Sequence, residues 1–388
     1  MQQPLARRIT QSLLVFVPLL IIAFFLFRKT SPPTPTPTPA TPATLLARDL
    51  ADLGLPPDWS HLERFQNTLT RGTFLNRLKT VYTTDDSWKK WIKIDEQNNH
   101  AILGDFILKF AKLDQPAPGS VYDWKNRADL SPSRTLPLAG LHIALDPGHI
   151  GGKYAAIEER EYKWADTTIQ EGTMTLQTAK ILAPMLEKLG ASVTLVRTKL
   201  EPVTTKSAAD FSDAVLFYRT SEIRARARLV NEAIKPDLVV CLHFNGSAAK
   251  TPEPLQHFHI ILNGTYTANE LAHEDERFQM LQRLLSGTLI EEIPLAREIA
   301  GACNDILKLP AYRYLPTLPT AQNVANHPNL WARNLLANRL FQCPVIFMEP
   351  YVMNSTPFIT RFHQNPEEIY HEYARAVAEG LTRYYSQQ

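Results

Sequence analysis

The chain has 388 residues, 44% of them hydrophobic and 21% charged, with a formal net charge of +2. That ratio is ordinary for a globular protein with one large domain and a smaller one, which excludes wholesale disorder and a disulfide-stapled miniprotein. Lysines and arginines are spread among similar numbers of acidic residues, so no basic stripe argues for nucleic acid as a partner.

In chain order, Arg7 and Arg8 precede a run from Leu13 to Phe27 that is apolar except for Pro18. Counted from Ile9, residues 9–27 give about 19 positions, enough to cross a hydrocarbon core of roughly 30 Å as a helix. Residues 1–29 therefore read as a transmembrane anchor or an uncleaved signal. A cleaved signal is the alternative, but Arg28 and Lys29 stand where a small-residue cleavage site would follow. The charged start favours a single-pass protein of the cytoplasmic (inner) membrane, with the bulk of the chain on the periplasmic or extracellular side. Residues 30–44 alternate proline with threonine and alanine. Proline fixes φ and removes backbone donors, so this linker is an extended spacer, or simply a passive connection.

Residues 45–138 read as a small accessory α+β module of unassigned role. Apolar residues recur at helical intervals between His61 and Tyr82, and Trp88 to Ala111 reads as short strands with a turn at Gln97, Asn98 and Asn99. Trp88 and Trp91 could stack on sugars, although aromatic residues in so small a module are more often core. From residue 139 to 388 strands and helices alternate. Strands are expected at Leu141–Asp146, Ala191–Arg197, Asp237–His243, His257–Asn263 and Pro344–Glu349. Helices are expected at Thr173–Leu189, Ser221–Ile234, through 275–307 and at Pro366–Tyr385. The pattern predicts an α/β fold with a mostly parallel sheet covered by helices on both faces. Cys241 and Cys343 lie in apolar runs and no CxxC pair occurs, so free buried thiols are expected.

Ligands of open α/β sheets bind beyond the carboxyl ends of the strands. There the chain places Asp146-Pro147-Gly148-His149-Ile150-Gly151-Gly152, His243-Phe244-Asn245-Gly246 and Glu349. Two histidines and a glutamate at one rim are the ingredients of a catalytic zinc site, since Zn²⁺ takes imidazole nitrogen and carboxylate oxygen. Histidines at strand ends can equally be hydrogen-bonded structural residues, and no HExxH helix fixes two ligands on one face. His142, His257 and His259 lie within predicted strands and, like the remaining histidines, read as surface or satisfied core positions.

The segments ALDPGHIGG, EGTMTLQTAKILAPMLEKLG leading into ASVTLVRT, RARARLVNEAIKPDLVVCLHFNG and VIFMEPYVMNS occur in that order. Together they resemble the zinc-dependent N-acetylmuramoyl-L-alanine amidases of the bacterial cell wall, amidase type 3, over residues 139–388. The resemblance implies one Zn²⁺ per chain held by His149, Glu171 and His243, with Glu349 as catalytic acid/base. Glu171 is chosen over Glu158, Glu159, Glu161 and Glu201 because Leu176 follows it by five residues, as in the family. Arg226 and Asn245 match family positions and are assigned to support of the site. The implied reaction is hydrolysis of the amide between N-acetylmuramic acid and the L-alanine of the stem peptide in peptidoglycan, with an activator protein as a further conceivable partner.

Two departures stand out. Ile150 occupies a place where glycine normally follows the histidine, and Thr175 precedes Leu176 where asparagine is more usual. The acidic segment Glu270–Glu292 is expected to form a helical lid over the site. The rival readings are another zinc peptidase or amidohydrolase acting on wall peptides, and a catalytically silent wall-binding or activator protein.

Overall fold

The computed structural model describes residues 56–112, 121–315 and 320–387. The expected anchor over 1–29, with its membrane span at 9–27, and the spacer over 30–44 lie outside the described residues. Among those described, no helix is long and apolar enough to cross a membrane.

The accessory segment begins with a 3-10 turn, Trp59–Phe65, and helix α1, Arg71–Arg77, which runs on through Leu78–Tyr82. Strands β1 (Ile92–Asp95), β2 (His100–Leu103) and β3 (Phe106–Lys109) then form an antiparallel meander. Trp88 is buried in the core of this segment, and Trp91 packs partly buried against it under the guanidinium of Arg277.

The large sheet has seven strands. They are β4 (His142–Pro147), β7 (Ser192–Leu195), β8 (Leu238–Leu242), β9 (Phe258–Leu262), β10 (Gln322–Asn323), β11 (Leu330–Ala332) and β12 (Val345–Pro350), in the order β10-β11-β9-β12-β8-β4-β7. A separate hairpin, β5 (Glu161–Trp164) with β6 (Thr167–Gln170), stands beside it. β7, β4, β8 and β12 are mutually parallel, while β9 pairs antiparallel with β12. The sheet is thus mostly parallel with a reversed flank. β8 and β9 are buried at every residue, which is why they read as unbroken apolar runs.

Side chains alternate across a strand, so each strand feeds two cores. Ile143, Leu145, Val240, Leu242, Ile346 and Met348 face one layer. Helices α2 (Glu171–Lys188), α4 (Glu274–Ser286), α5 (Leu289–Leu307), α6 (Thr356–Gln364) and α7 (Pro366–Ser386) build it, while α3 (Ile223–Arg228) belongs to the other layer. Ala144, Val239, Cys241, Ile261, Val345 and Phe347 face the other way, onto Ala227, Val230 and Phe341. That second layer is thinner, resting on the helical stretch Phe217–Ile234 around α3. Continuing the two-residue period upward from Ala144, Cys241 and Phe347 leads to Asp146, His243 and Glu349. The functional rim lies on the thinly covered face.

The lid expected over Glu270–Glu292 is not there. α4 buries Phe278, Met280, Leu281, Leu284 and Leu285 and packs on the accessory segment, with Trp59 edge-on to Phe278 and Arg77 donating to the carbonyl of Leu284. Arg283 pairs with Glu292 and donates to the carbonyls of Phe341 and Cys343, at the start of β12 and therefore at the edge opposite Glu349. The acidic residues of α4 belong to its first turn, where negative charge complements the helix dipole. Cys241, Cys303 and Cys343 are free and buried, as expected of apolar thiols.

Candidate metal centre

A loop, a helix start and a strand end converge at the carboxyl edge of β4 and β8. β4 runs into the Gly148-His149 turn, whose Gly148 N–H donates to the carbonyl of Leu242. Glu171 opens α2, and His243 follows β8 directly. The closeness of these parts depends on glycine. A Cβ on Gly148 would fall 2.3 Å from His243 Cε1, and one on Gly172 would fall 2.3 Å from the nitrogen of Gly151.

One donor atom each from His149, Glu171 and His243, all buried, lie within 4.8 Å of one another. Glu171 divides its carboxylate: Oε2 is 3.3 Å from His149 Nε2 and Oε1 is 2.9 Å from His243 Nδ1. Burial pushes Glu171 toward protonation, but His149, His243 and Arg160 outweigh it and hold the carboxyl below its ordinary range. Burial takes the His149 imidazole well below its ordinary value, so it stays neutral with a lone pair to offer. For His243 burial acts the same way, yet the hydrogen bond and charge of Glu171 win and raise it. Two imidazoles and a carboxylate gathered out of water, one imidazole neutral, suit a divalent borderline-soft cation.

The surroundings fix these groups. His149 Nδ1 is buried without a hydrogen-bond partner and faces Glu158 Oε1 at 3.4 Å. Glu158 is itself buried and accepts from the N–H groups of Ile150 and Gly151. A carboxylate behind a ligating histidine orients the ring. Tyr218 stacks on His149 with centroids 4.5 Å apart, and Phe347 stacks on His243 at 4.3 Å.

Arg226 is buried and donates to Glu222, to Asp146, and to the carbonyls of Pro147 and His149, clamping the His149 turn from below. Asn245 sits at the cleft rim, where its side chain accepts from Gly246 N–H and its carbonyl accepts from Met353 N–H. It braces the loops after β8 and β12 and touches none of the three donors. The two departures noted in the sequence are structural. Ile150 is fully buried against Phe217 and Tyr218, and Thr175 donates its hydroxyl at 2.6 Å to the carbonyl of Gly148.

Glu349 lines the same cleft as His149, Glu171 and His243, in a cavity of about 720 Å³. Burial pushes its carboxyl up to about 7; the charge of His243 works against this and that of Glu171 adds to it. A carboxyl poised near neutrality can both take and return a proton.

Sequence reasoning missed Glu158, Tyr218, His259 and Arg333 as cleft residues. His259 is the β9 residue registered opposite Glu349, and its Nε2 is 3.1 Å from the Tyr314 hydroxyl. The alternation of His257 and His259 along a strand was the available signal that both share a face. Nothing local marks Glu158 or Tyr218, whose roles arise only where the chain returns to the loop.

Residues 143–309 match the family described as N-acetylmuramoyl-L-alanine amidase, Amidase_3. Among curated proteins, the probable cell wall amidase LytH of Staphylococcus aureus is 31% identical over 112 residues, which are 28% of this chain and 31% of that protein. The chain thus spans about a third of the length of the curated relatives it matches. Among solved structures, the N-acetylmuramyl-L-alanine amidase Ami1 of Mycobacterium smegmatis is similar at 18% identity and a TM-score of 0.43, covering 65% of this chain and 99% of that one. The CwlD amidase of Clostridioides difficile, solved with the GerS lipoprotein, is similar at 13% identity and a TM-score of 0.43, covering 64% of this chain and 100% of that one. Glu349 lies beyond the matched segment and reaches the centre through β12. The segment that matches the N-acetylmuramoyl-L-alanine amidase family thus carries His149, Glu171 and His243.

Proposed function

We propose that this protein is a zinc-dependent peptidoglycan hydrolase that cleaves the amide between N-acetylmuramic acid and the L-alanine of the stem peptide. The observation that carries the reading is the convergence of His149, Glu171 and His243 within 4.8 Å in one cleft with Glu349. His149, Glu171 and His243 would hold the zinc, which when bound supplies a Lewis acid and a water whose pKa falls to roughly 7. Glu349 takes the proton of the attacking water and delivers it to the departing amide nitrogen, so that L-alanine leaves as a neutral amine. General acid-base assistance of this kind contributes about 10² to 10⁴ in rate. Glu158 and Tyr218 keep the His149 ring in place, and Arg226 holds the turn that presents it.

Arg7, Arg8 and the apolar run at residues 9–27 support a single-pass anchor in the cytoplasmic membrane, with the enzyme on the outer side, and residues 30–44 support a spacer. Such an arrangement would bring the cleft to the wall.

The test is to incubate the purified protein with peptidoglycan, with zinc or with a chelator, and to identify the products by mass. Zinc-dependent release of intact stem peptides beginning with L-alanine is expected, lost in Glu349→Gln while bound zinc persists. Fragments cut within the peptide would indicate a peptidase instead, and no zinc bound at all would refute the reading.

A further inference from the structure

Three arginines line the cleft. Arg160 Nε lies 3.3 Å from Glu171 and Arg219 lies 2.8 Å from Glu159. Arg333 makes no ion pair among the described residues, although it is partly buried. Its backbone is fixed, with the N–H donating to the carbonyl of Leu262 just beyond β11. Its guanidinium lies 5.9 Å from the Tyr314 ring centroid and within hydrogen-bonding reach of that side chain.

Tyr314 in turn is held on three sides. Its hydroxyl is 3.1 Å from His259 Nε2, and its ring meets those of Trp331 at 5.1 Å and Tyr312 at 4.7 Å. Burial keeps His259 neutral, its value lowered to about 3. The wall beside Glu349 is therefore a rigid aromatic surface whose positive charge is Arg333.

A cation taken partly out of water beside a phenol, with no carboxylate paired to it, is costly unless an anionic ligand completes it. The planar guanidinium matches a carboxylate through two parallel hydrogen bonds. In the substrate proposed above, the carboxyl of the lactyl group is consumed in the amide to be cut, so free carboxylates belong to the peptide. We propose that Arg333, backed by Tyr314 and His259, is a specificity residue that anchors a carboxylate on the peptide side of the scissile amide. The identity of the ligand rests on the amidase reading; the anion site itself does not.

The experiment compares a muramyl dipeptide carrying free carboxylates with its fully amidated counterpart, using the full-length protein. Wild type is expected to favour the carboxylate form in kcat/KM by about 10- to 100-fold, as a charge-assisted pair contributes. Arg333→Met should bring that ratio to near unity, and Arg333→Lys should keep part of it. A wild type that hydrolyses both substrates with the same kcat/KM overturns the proposal. So does an Arg333→Met that slows both equally, which would assign Arg333 to the field around Glu349 or to folding.

The same two peptides are titrated calorimetrically into Glu349→Gln and into the Glu349→Gln, Arg333→Met double variant. Carboxylate-dependent binding that requires Arg333 upholds the proposal even if wild type hydrolyses neither peptide, an outcome that would sink the amidase reading alone. Equal binding of both peptides overturns the proposal whatever the activity. Thermal melts of each variant separate loss of folding from loss of recognition.

Discussion

Replacing Gly148 with alanine should damage the metal centre through one methyl group. That methyl would stand 2.3 Å from His243 Cε1, 2.4 Å from Nε2 and 2.6 Å from Nδ1, where ordinary contact begins at 3.4 Å. The shortfall is 3.4 − 2.3, or about 1.1 Å. The His243 ring cannot retreat freely, because Phe347 is stacked on it at 4.3 Å. Gly148 is not among the glycines with positive φ, so the backbone itself accepts alanine and the collision is the whole effect.

Overpacking of this kind costs about 1–3 kcal/mol. A ligand displaced by more than roughly 0.5 Å leaves productive geometry, and disturbed support of a metal ligand typically costs about 10- to 100-fold in affinity. Zinc affinity is to be measured by competition with a chromophoric chelator, and thermal unfolding followed with and without zinc. The stabilisation conferred by zinc should shrink by about 1.4 kcal/mol for each tenfold loss of affinity. Gly246→Ala is the control, since its Cβ would meet nothing closer than Met353 at 3.6 Å. If Gly148→Ala bound zinc within twofold of wild type and melted at the same temperature, the close-approach reasoning would be wrong.

Three further outcomes are expected. Glu349 titrates at 4.5 when unperturbed and at about 7 in the folded protein, so its carboxyl favours the folded state most at low pH and loses that contribution as pH rises from 4.5 through 7. Chelator-treated Glu349→Gln should therefore gain stability over wild type by about 1 kcal/mol or more between pH 5 and pH 8 in denaturant titrations, and a pH-independent difference would contradict the shift. Arg226→Met leaves Glu222 and Asp146 buried without their cation and should cost about 3–5 kcal/mol in chemical denaturation; a loss below 1 kcal/mol would mean the network carries little. Glu158→Ala strips the acceptor from the N–H groups of Ile150 and Gly151, at about 1–3 kcal/mol for each group left unsatisfied. Zinc affinity should fall with it, and unchanged zinc affinity would remove Glu158 from orientation of His149.

The expected strands and helices of residues 139–388 appear in the structure within a few residues, because fully buried strands and amphipathic helices write their burial into local periodicity. The hairpin of β5 and β6 was not legible: of its residues only Ile169 is buried, and Glu161 and Lys163 interrupt β5, so no apolar pattern announces it. The reversal of β9 was equally hidden, since an apolar run has no direction. The lid over Glu270–Glu292 was misread because negative charge in a helix's first turn serves the helix itself, and the buried side of α4 is committed to the accessory segment.

Local order along the chain was enough to place His149, His243 and Glu349 at strand ends, and resemblance selected Glu171 from among five nearby carboxylates. Which residues would share one cleft depended on packing between segments far apart in sequence. His149 and His243 are brought together because Gly148 lacks a side chain, and Glu158 comes beneath His149 because its loop folds back. His259 comes level with Glu349 because two strands run in opposite directions. Periodicity records how one element meets its own surroundings. Proximity between elements is set by the register and direction with which they pack, and no single segment contains that information.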